Sequence, residues 1–248
     1  MALACVFLGS MILIRFEQDA PGELVDCAEV FGLVERVKAT LDDLSSTQRQ
    51  VMRGAGLYDA VKVMREVVEL CISEPEFNEE LIAERMLETS IHSLLTVLGF
   101  QPDDRWTVCI FKAEIAKGKP VTLSVLAHRR YEPCDRGKTR VWQSGEGNVG
   151  LAFLKKEELI IENSSTPDVA NTYRPSQDNR RAHDANLYAS SVTVPVLVGK
   201  DDRAWGVVVA TSSKHGHFRH GDRSQLHPAE AMRVLGSMLE LAVTRTYK

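Results

Sequence analysis

Apolar residues recur at three- and four-residue intervals over the first 100 positions, then gather into short blocks separated by turn residues. From Glu23 to Ile72 one stripe runs through Leu24, Ala28, Phe31, Val34, Val37, Leu41 and Leu44. It resumes after the polar "SSTQ" as Val51, Leu57, Ala60, Val61, Met64, Val67, Val68 and Leu70. A narrow apolar seam with charged flanks predicts a helical hairpin or short coiled coil, softly broken at "SSTQ" and interrupted at Gly54 and Gly56. "SEPEF" at 73–77 reads as a new helix start, with Ser73 or Glu74 at the cap and Pro75 in the first turn. That helix runs to about Leu98 and stops at Gly99. Beyond it, "RWTVCIFKAE" and "VTLSVLAHRR" predict a hairpin closed by Lys-Gly-Lys-Pro at 117–120, and "ELIIENSS" a third strand. "YASSVTVPVLVG" and "AWGVVVATSS" are a fourth and fifth strand around "KDDR". A terminal amphipathic helix carries Ala231, Val234, Leu235, Met238, Leu239, Ala242 and Val243.

This order predicts an α+β fold: an antiparallel sheet of five to six strands flanked by long N- and C-terminal helices, with an N-terminal α-helical or coiled-coil extension. The irregular insertion 164–189, rich in Asn, Asp, Arg and Ser, is expected to cover the sheet face away from the helices. Loops of that length inside a domain are usually functional. Three segments follow: an apolar stretch at 1–16, a helical extension at 17–75, and a larger α+β domain at 76–248.

Composition narrows the classes. The 248 residues are 44% hydrophobic and 26% charged, ordinary for a globular chain, and a net charge of -4 gives no footprint for nucleic acid. Five scattered cysteines with no C-x-x-C point to a reducing compartment, so the cytoplasm is expected. The run "ALACVFLGSMILI", residues 2–14, is too short to span a bilayer and lacks the flanks of a secretory signal. It leaves three readings: the remnant of a longer membrane helix, an interfacial anchor to the inner face of a membrane, or a buried oligomer contact.

The stretch "WQSGEGNVGLAF" holds Gly145, Gly147 and Gly150 in a G-x-G-x-x-G spacing. A dinucleotide site needs a buried parallel strand leading into the first glycine. "RGKTRVWQS" is polar and basic, and no Lys-Ser or Lys-Thr follows the last glycine as a phosphate loop would require. The glycines therefore predict a tight turn into a short helix begun at Val149.

With "GEGNVGLAF", "EELIIENSSTPD", "SSVTVPVLVGKDDRAWGVVVATSS" with Pro195, and Phe218 before the last helix, residues from about 76 to 248 resemble a GAF domain. That resemblance implies a small-molecule pocket between sheet and irregular connections, and flanking helices that pair in dimers and carry a signal. The output is then expected to be a separate partner protein, an oligomeric change or an effect on a membrane. No kinase, cyclase, phosphodiesterase or DNA-binding pattern accompanies it in these residues. Family members bind cyclic nucleotides, bilins, haem, metal-bound gases or small metabolites, and the fold alone does not choose among them.

Candidate chemistry divides as follows. No cysteine lies in 164–189, which argues against a covalent bilin. Cys109 and Cys134 depart from the spacing of the free methionine sulfoxide reductases that share the fold, so a thiol enzyme of that type is the alternative, and a ligand-free scaffold a third. His215, His217, His220 and His227, with Asp222, read as a solvated loop ahead of a metal site, and no catalytic residue is assigned. "NTYRPSQDNRRAHD" supplies Tyr173, Arg174, Arg180, Arg181 and His183. With Trp142 and Asn163 these are the expected ligand-binding residues. Arginine forks and an aromatic face suit a nucleotide or another small anionic ligand.

Overall fold

The computed structural model describes residues 20–73, 78–132, 139–181, 184–199, 203–221 and 226–244. The apolar run at 2–14, Pro75, Cys134, His183 and Asp222 lie outside them. The described elements are helices α1 (Ala20–Ser73) and α2 (Glu79–Leu98), strands β1 (Thr107–Glu114), β2 (Thr122–Arg130) and β3 (Trp142–Gln143), helix α3 (Gly147–Lys155), strand β4 (Leu159–Ile161), helices α4 (Pro167–Thr172) and α5 (Asp184–Leu187), strands β5 (Ser190–Val198) and β6 (Arg203–Ser212), and helix α6 (Glu230–Thr244). Compactness divides the chain after Gln50.

In residues 29–50 the predicted stripe is outward: Phe31, Val34, Val37, Leu41 and Leu44 are all exposed. The expected break and hairpin are absent, because α1 is continuous through "SSTQ" and both glycines. Ser45 stays helical by donating its hydroxyl to the Asp42 carbonyl (2.8 Å). Gly56 is a close-packing position, where a Cβ would lie 3.1 Å from the Ser93 carbonyl oxygen of α2. The start of α2 is also corrected. Ser73 ends α1, its hydroxyl donating to the Leu70 carbonyl. Asn78 is the cap, accepting from Leu81 N at 3.1 Å, with Glu79 and Glu80 at the positive end of the helix. The Gly99 stop holds, with φ of 70°.

The sheet is wholly antiparallel in the order β3-β2-β1-β6-β5-β4. Strand alternation sorts its two faces. Val108, Ile110, Val208 and Ala210 join Met64, Met86, Leu94, Leu98, Met232 and Leu235 in a core against α1 from residue 51 onward, α2 and α6. One residue along, Cys109, Phe111, Val207 and Val209 face the other way, with Trp142, Val149 and Phe153. Central β6 is buried at every position after Arg203, which explains its unbroken "VVVA". The fold is the predicted α+β sheet with flanking helices.

Candidate functional site

The glycine turn builds one wall. Gly145 (φ 88°) and Gly147 (φ 60°) take left-handed conformations. At Gly150 a Cβ would fall 2.0 Å from the Gln143 carbonyl oxygen, so α3 approaches the turn at a distance no side chain permits. The helix starts at Gly147, two residues before the predicted Val149. Strand β3 is a two-residue edge paired to β2, the opposite of the central parallel strand that a dinucleotide site needs.

From this turn Glu146 reaches the insertion. Its carboxylate accepts from Gln143 N (2.9 Å), Ser176 N (2.8 Å) and Asn179 Nδ2 (2.8 Å), while Asn179 also donates to the Val141 carbonyl. Burial disfavours the charged form of Glu146, but the bonds from Ser176, Asn179 and Gln143 outweigh it and hold the carboxyl below the usual glutamate range. The insertion, carrying the short helices α4 and α5, is thereby fixed over the sheet.

Between insertion and sheet lies a cavity of about 490 Å³. Its floor is graded. The cross-strand partners Arg130, Thr107, Thr211 and Ser191 form a polar row across four strands. The next row is Cys109 with Val209, and beyond it Phe111 with Val125. Val169, Ala170, Tyr173 and Pro175 from the insertion enclose the space, and Asn148 on α3 donates to Ser191 Oγ at 3.1 Å. A floor graded in this way is complementary to an amphipathic molecule, because polar lining fixes orientation while apolar lining supplies most of the contact.

At one end Arg140 is held on three sides. Its Nη2 donates to Asp184 in an ion pair that is largely buried on both sides. Its guanidinium lies 5.7 Å from the Trp142 ring centre and 5.5 Å from that of Tyr188. Asp184 also accepts from Arg181 N at 3.0 Å. Among the described residues, the buried lining atoms without a hydrogen-bond partner include Arg140 Nε and Thr211 Oγ1.

Of the residues expected from sequence, Trp142, Tyr173 and Arg181 line the cavity. Asn163 instead shapes the turn into the insertion, its Oδ1 accepting from Ser165 N at 2.9 Å. Arg174 and Arg180 are exposed on the insertion's outer side, Arg180 bonding the Pro175 carbonyl. Arg140, Asp184, Tyr188, Asn148 and Thr211 were not expected. "RVW" carries a faint signal for Arg140, two residues from the aromatic it stacks on, whereas Thr211 emerges only from strand register.

The histidine tract serves the fold. His217 stacks on Phe100 at 4.7 Å, places Nε2 3.1 Å from the Leu98 carbonyl oxygen, and puts Nδ1 3.6 Å from Asp104. Fully buried Asp104 accepts from Ser212 Oγ and Ser213 N. Burial pushes the His217 imidazole below the usual histidine range, against the attraction of Asp104. His227 caps the approach to α6 by accepting from Ala229 N. Among the described residues no group of three His, Cys, Asp or Glu side chains is arranged to hold a metal ion.

The GAF domain family model matches residues 82–243, so the chain belongs to the GAF domain family, a ligand-sensing and signalling fold. A solved structure described as that of the GAF domain aligns with a TM-score of 0.54 at 16% identity, covering 78% of this chain and 90% of that one. The chain is also similar to the free methionine-R-sulfoxide reductase of Neisseria meningitidis in complex with its substrate (TM-score 0.43, 16% identity, 76% of this chain and 92% of that one). The type II enzyme of Thermoplasma acidophilum gives 0.44 and 16%, covering 67% and 96%. No curated protein matches the chain. No helix among the described residues is long and apolar enough to cross a membrane.

Proposed function

We propose that this chain is a non-catalytic sensor. A small molecule occupies the cavity beneath the insertion, and its presence is passed through the flanking helices to a separate output protein. The observation that carries this reading is the graded cavity, whose lining includes two buried polar atoms without partners. Buried donors and acceptors are normally paired, so a ligand is the economical explanation of both. The expected occupant is an anion, a nucleotide or a smaller species, since the described lining side chains include Arg130, Arg140 and Arg181 against Asp184 alone.

Native mass spectrometry before and after mild denaturation tests the reading. A small mass released from each subunit, and lost from Val209→Trp in which the indole fills the floor, is the expected result. An unchanged subunit mass, together with no stabilisation by any anion in a metabolite screen, would leave the scaffold reading instead. The exposed stripe of α1 supports self-association of a second copy through its heptad-like face. Phe31→Lys with Leu41→Lys is expected to halve the mass found by light scattering while leaving the domain's melting temperature unchanged.

One observation favours a second reading: Cys109 lies on the cavity floor, where a thiol acting on a bound metabolite would sit. Replacing Cys109 and Cys134 by Ser without loss of function removes it. Loss of thiol-dependent consumption of free methionine sulfoxide would establish it.

A further inference from the structure

The sensor reading leaves the ligand's chemical class open, and the inference here rests on that reading. Arg140 is immobilised before any ligand arrives. Trp142 and Tyr188 stack near its guanidinium and Asp184 takes Nη2, leaving Nε–H as a buried donor without an acceptor. Thr211, only 9% exposed, presents an unpartnered hydroxyl from the polar row. The floor then turns apolar through Cys109, Val209, Phe111 and Val125.

We propose that the occupant is an organic monocarboxylate with a flat apolar body. Its carboxylate accepts from Arg140 Nε–H, its ring covers Cys109, Val209 and Phe111, and Thr211 Oγ1 bonds a polar atom of the same molecule. A neutral head would leave the guanidinium donor with a weaker acceptor, because hydrogen bonds between ionised partners are the stronger kind. A phosphate dianion would set its second negative charge beside Asp184, which already occupies the neighbouring nitrogen. A single planar charge with one oxygen directed at Nε meets neither objection. Aromatic and apolar walls at Trp142, Tyr173 and Phe111 favour a flat ring over a flexible chain.

The test is isothermal calorimetry on the full chain with three matched probes: 2-naphthylacetate, 2-naphthylacetamide and 2-naphthyl phosphate. The acid is expected to bind at least about tenfold more tightly than the amide, the scale of one charge-assisted hydrogen bond. Arg140→Gln should abolish that preference while leaving amide binding in place, and Thr211→Val should weaken the acid several-fold. Equal binding of acid and amide, or tighter binding of the phosphate, would overturn the carboxylate assignment while leaving the ligand cavity standing. No heat from any probe would overturn the carboxylate assignment, while the sensor reading beneath it stands or falls separately by the native mass measurement and the anion screen. If Arg140→Gln fails to fold, the acid–amide comparison on the unaltered protein decides the assignment by itself.

Discussion

On one face of the sheet Val108, Ile110, Val208 and Ala210 meet helices that leave them no accessible surface. On the other, Cys109 and Val209, one residue further along the same strands, border open space. The two faces share a backbone and differ in what covers them. The helical face is closed by long regular elements whose methionines and leucines join one extensive buried cluster. The cavity face is closed by an irregular insertion held through a few polar contacts, chiefly those of Glu146 and Asn179. Division of labour follows: substitutions on the first face should be felt as stability, and on the second as binding.

The largest expected effect breaks the helical face. Met86→Ala removes a side chain with no exposure and should cost about 2–5 kcal/mol in urea unfolding. Val209→Ala, beside existing space, should cost less than half of that, and comparable losses would mean that the faces are not distinct. Next in size is Gly150→Ala, whose Cβ would strike the Gln143 carbonyl. The turn must shift, at about 1–3 kcal/mol on the overpacking scale. Because that turn walls the cavity, ligand affinity should fall more steeply than in Met86→Ala at equal stability.

The smallest effect sharpens the comparison through pH. Burial lowers the folded-state His217 value beneath its ordinary 6.5, so the unfolded chain takes the proton first. The contribution is fully present above pH 6.5 and is lost as pH falls through the depressed value, with Asp104 limiting its size. His217→Gln should therefore flatten the decline in melting temperature between about pH 7.5 and 5.5. Ligand affinity, governed from the opposite face, should keep the same pH profile in both proteins.

Much of this arrangement was legible in the sequence, and unevenly so. Helix and strand order came from apolar periodicity, and Gly99 from the left-handed stop it supplies. The continuity of α1 did not, because "SSTQ" and two glycines are local signals that weigh little against helix on either side. Ser73 and Pro75 misdirected the start of α2 because cap preferences at neighbouring positions compete, and Asn78 won by bonding Leu81 N. Within the site, Trp142, Tyr173 and Arg181 were accessible as an aromatic and basic cluster. Arg140 and Asp184 are 44 residues apart, and Thr211 belongs to the cavity only because register sets it opposite Thr107. Long-range pairing of that kind leaves no mark on local composition.

The stacking of Arg140 with Trp142 also gives the molecule an optical property. The chain has three tryptophans, and they occupy different settings. Trp106 stacks on Phe100, Trp205 donates to Glu79 near the start of α2, and Trp142 alone borders the cavity. An indole beside a fixed cation emits according to the field around it, so binding of the proposed anion is expected to change the colour as well as the brightness of its emission. With Trp106→Phe and Trp205→Phe, the protein becomes its own fluorescent reporter of occupancy, readable without a label.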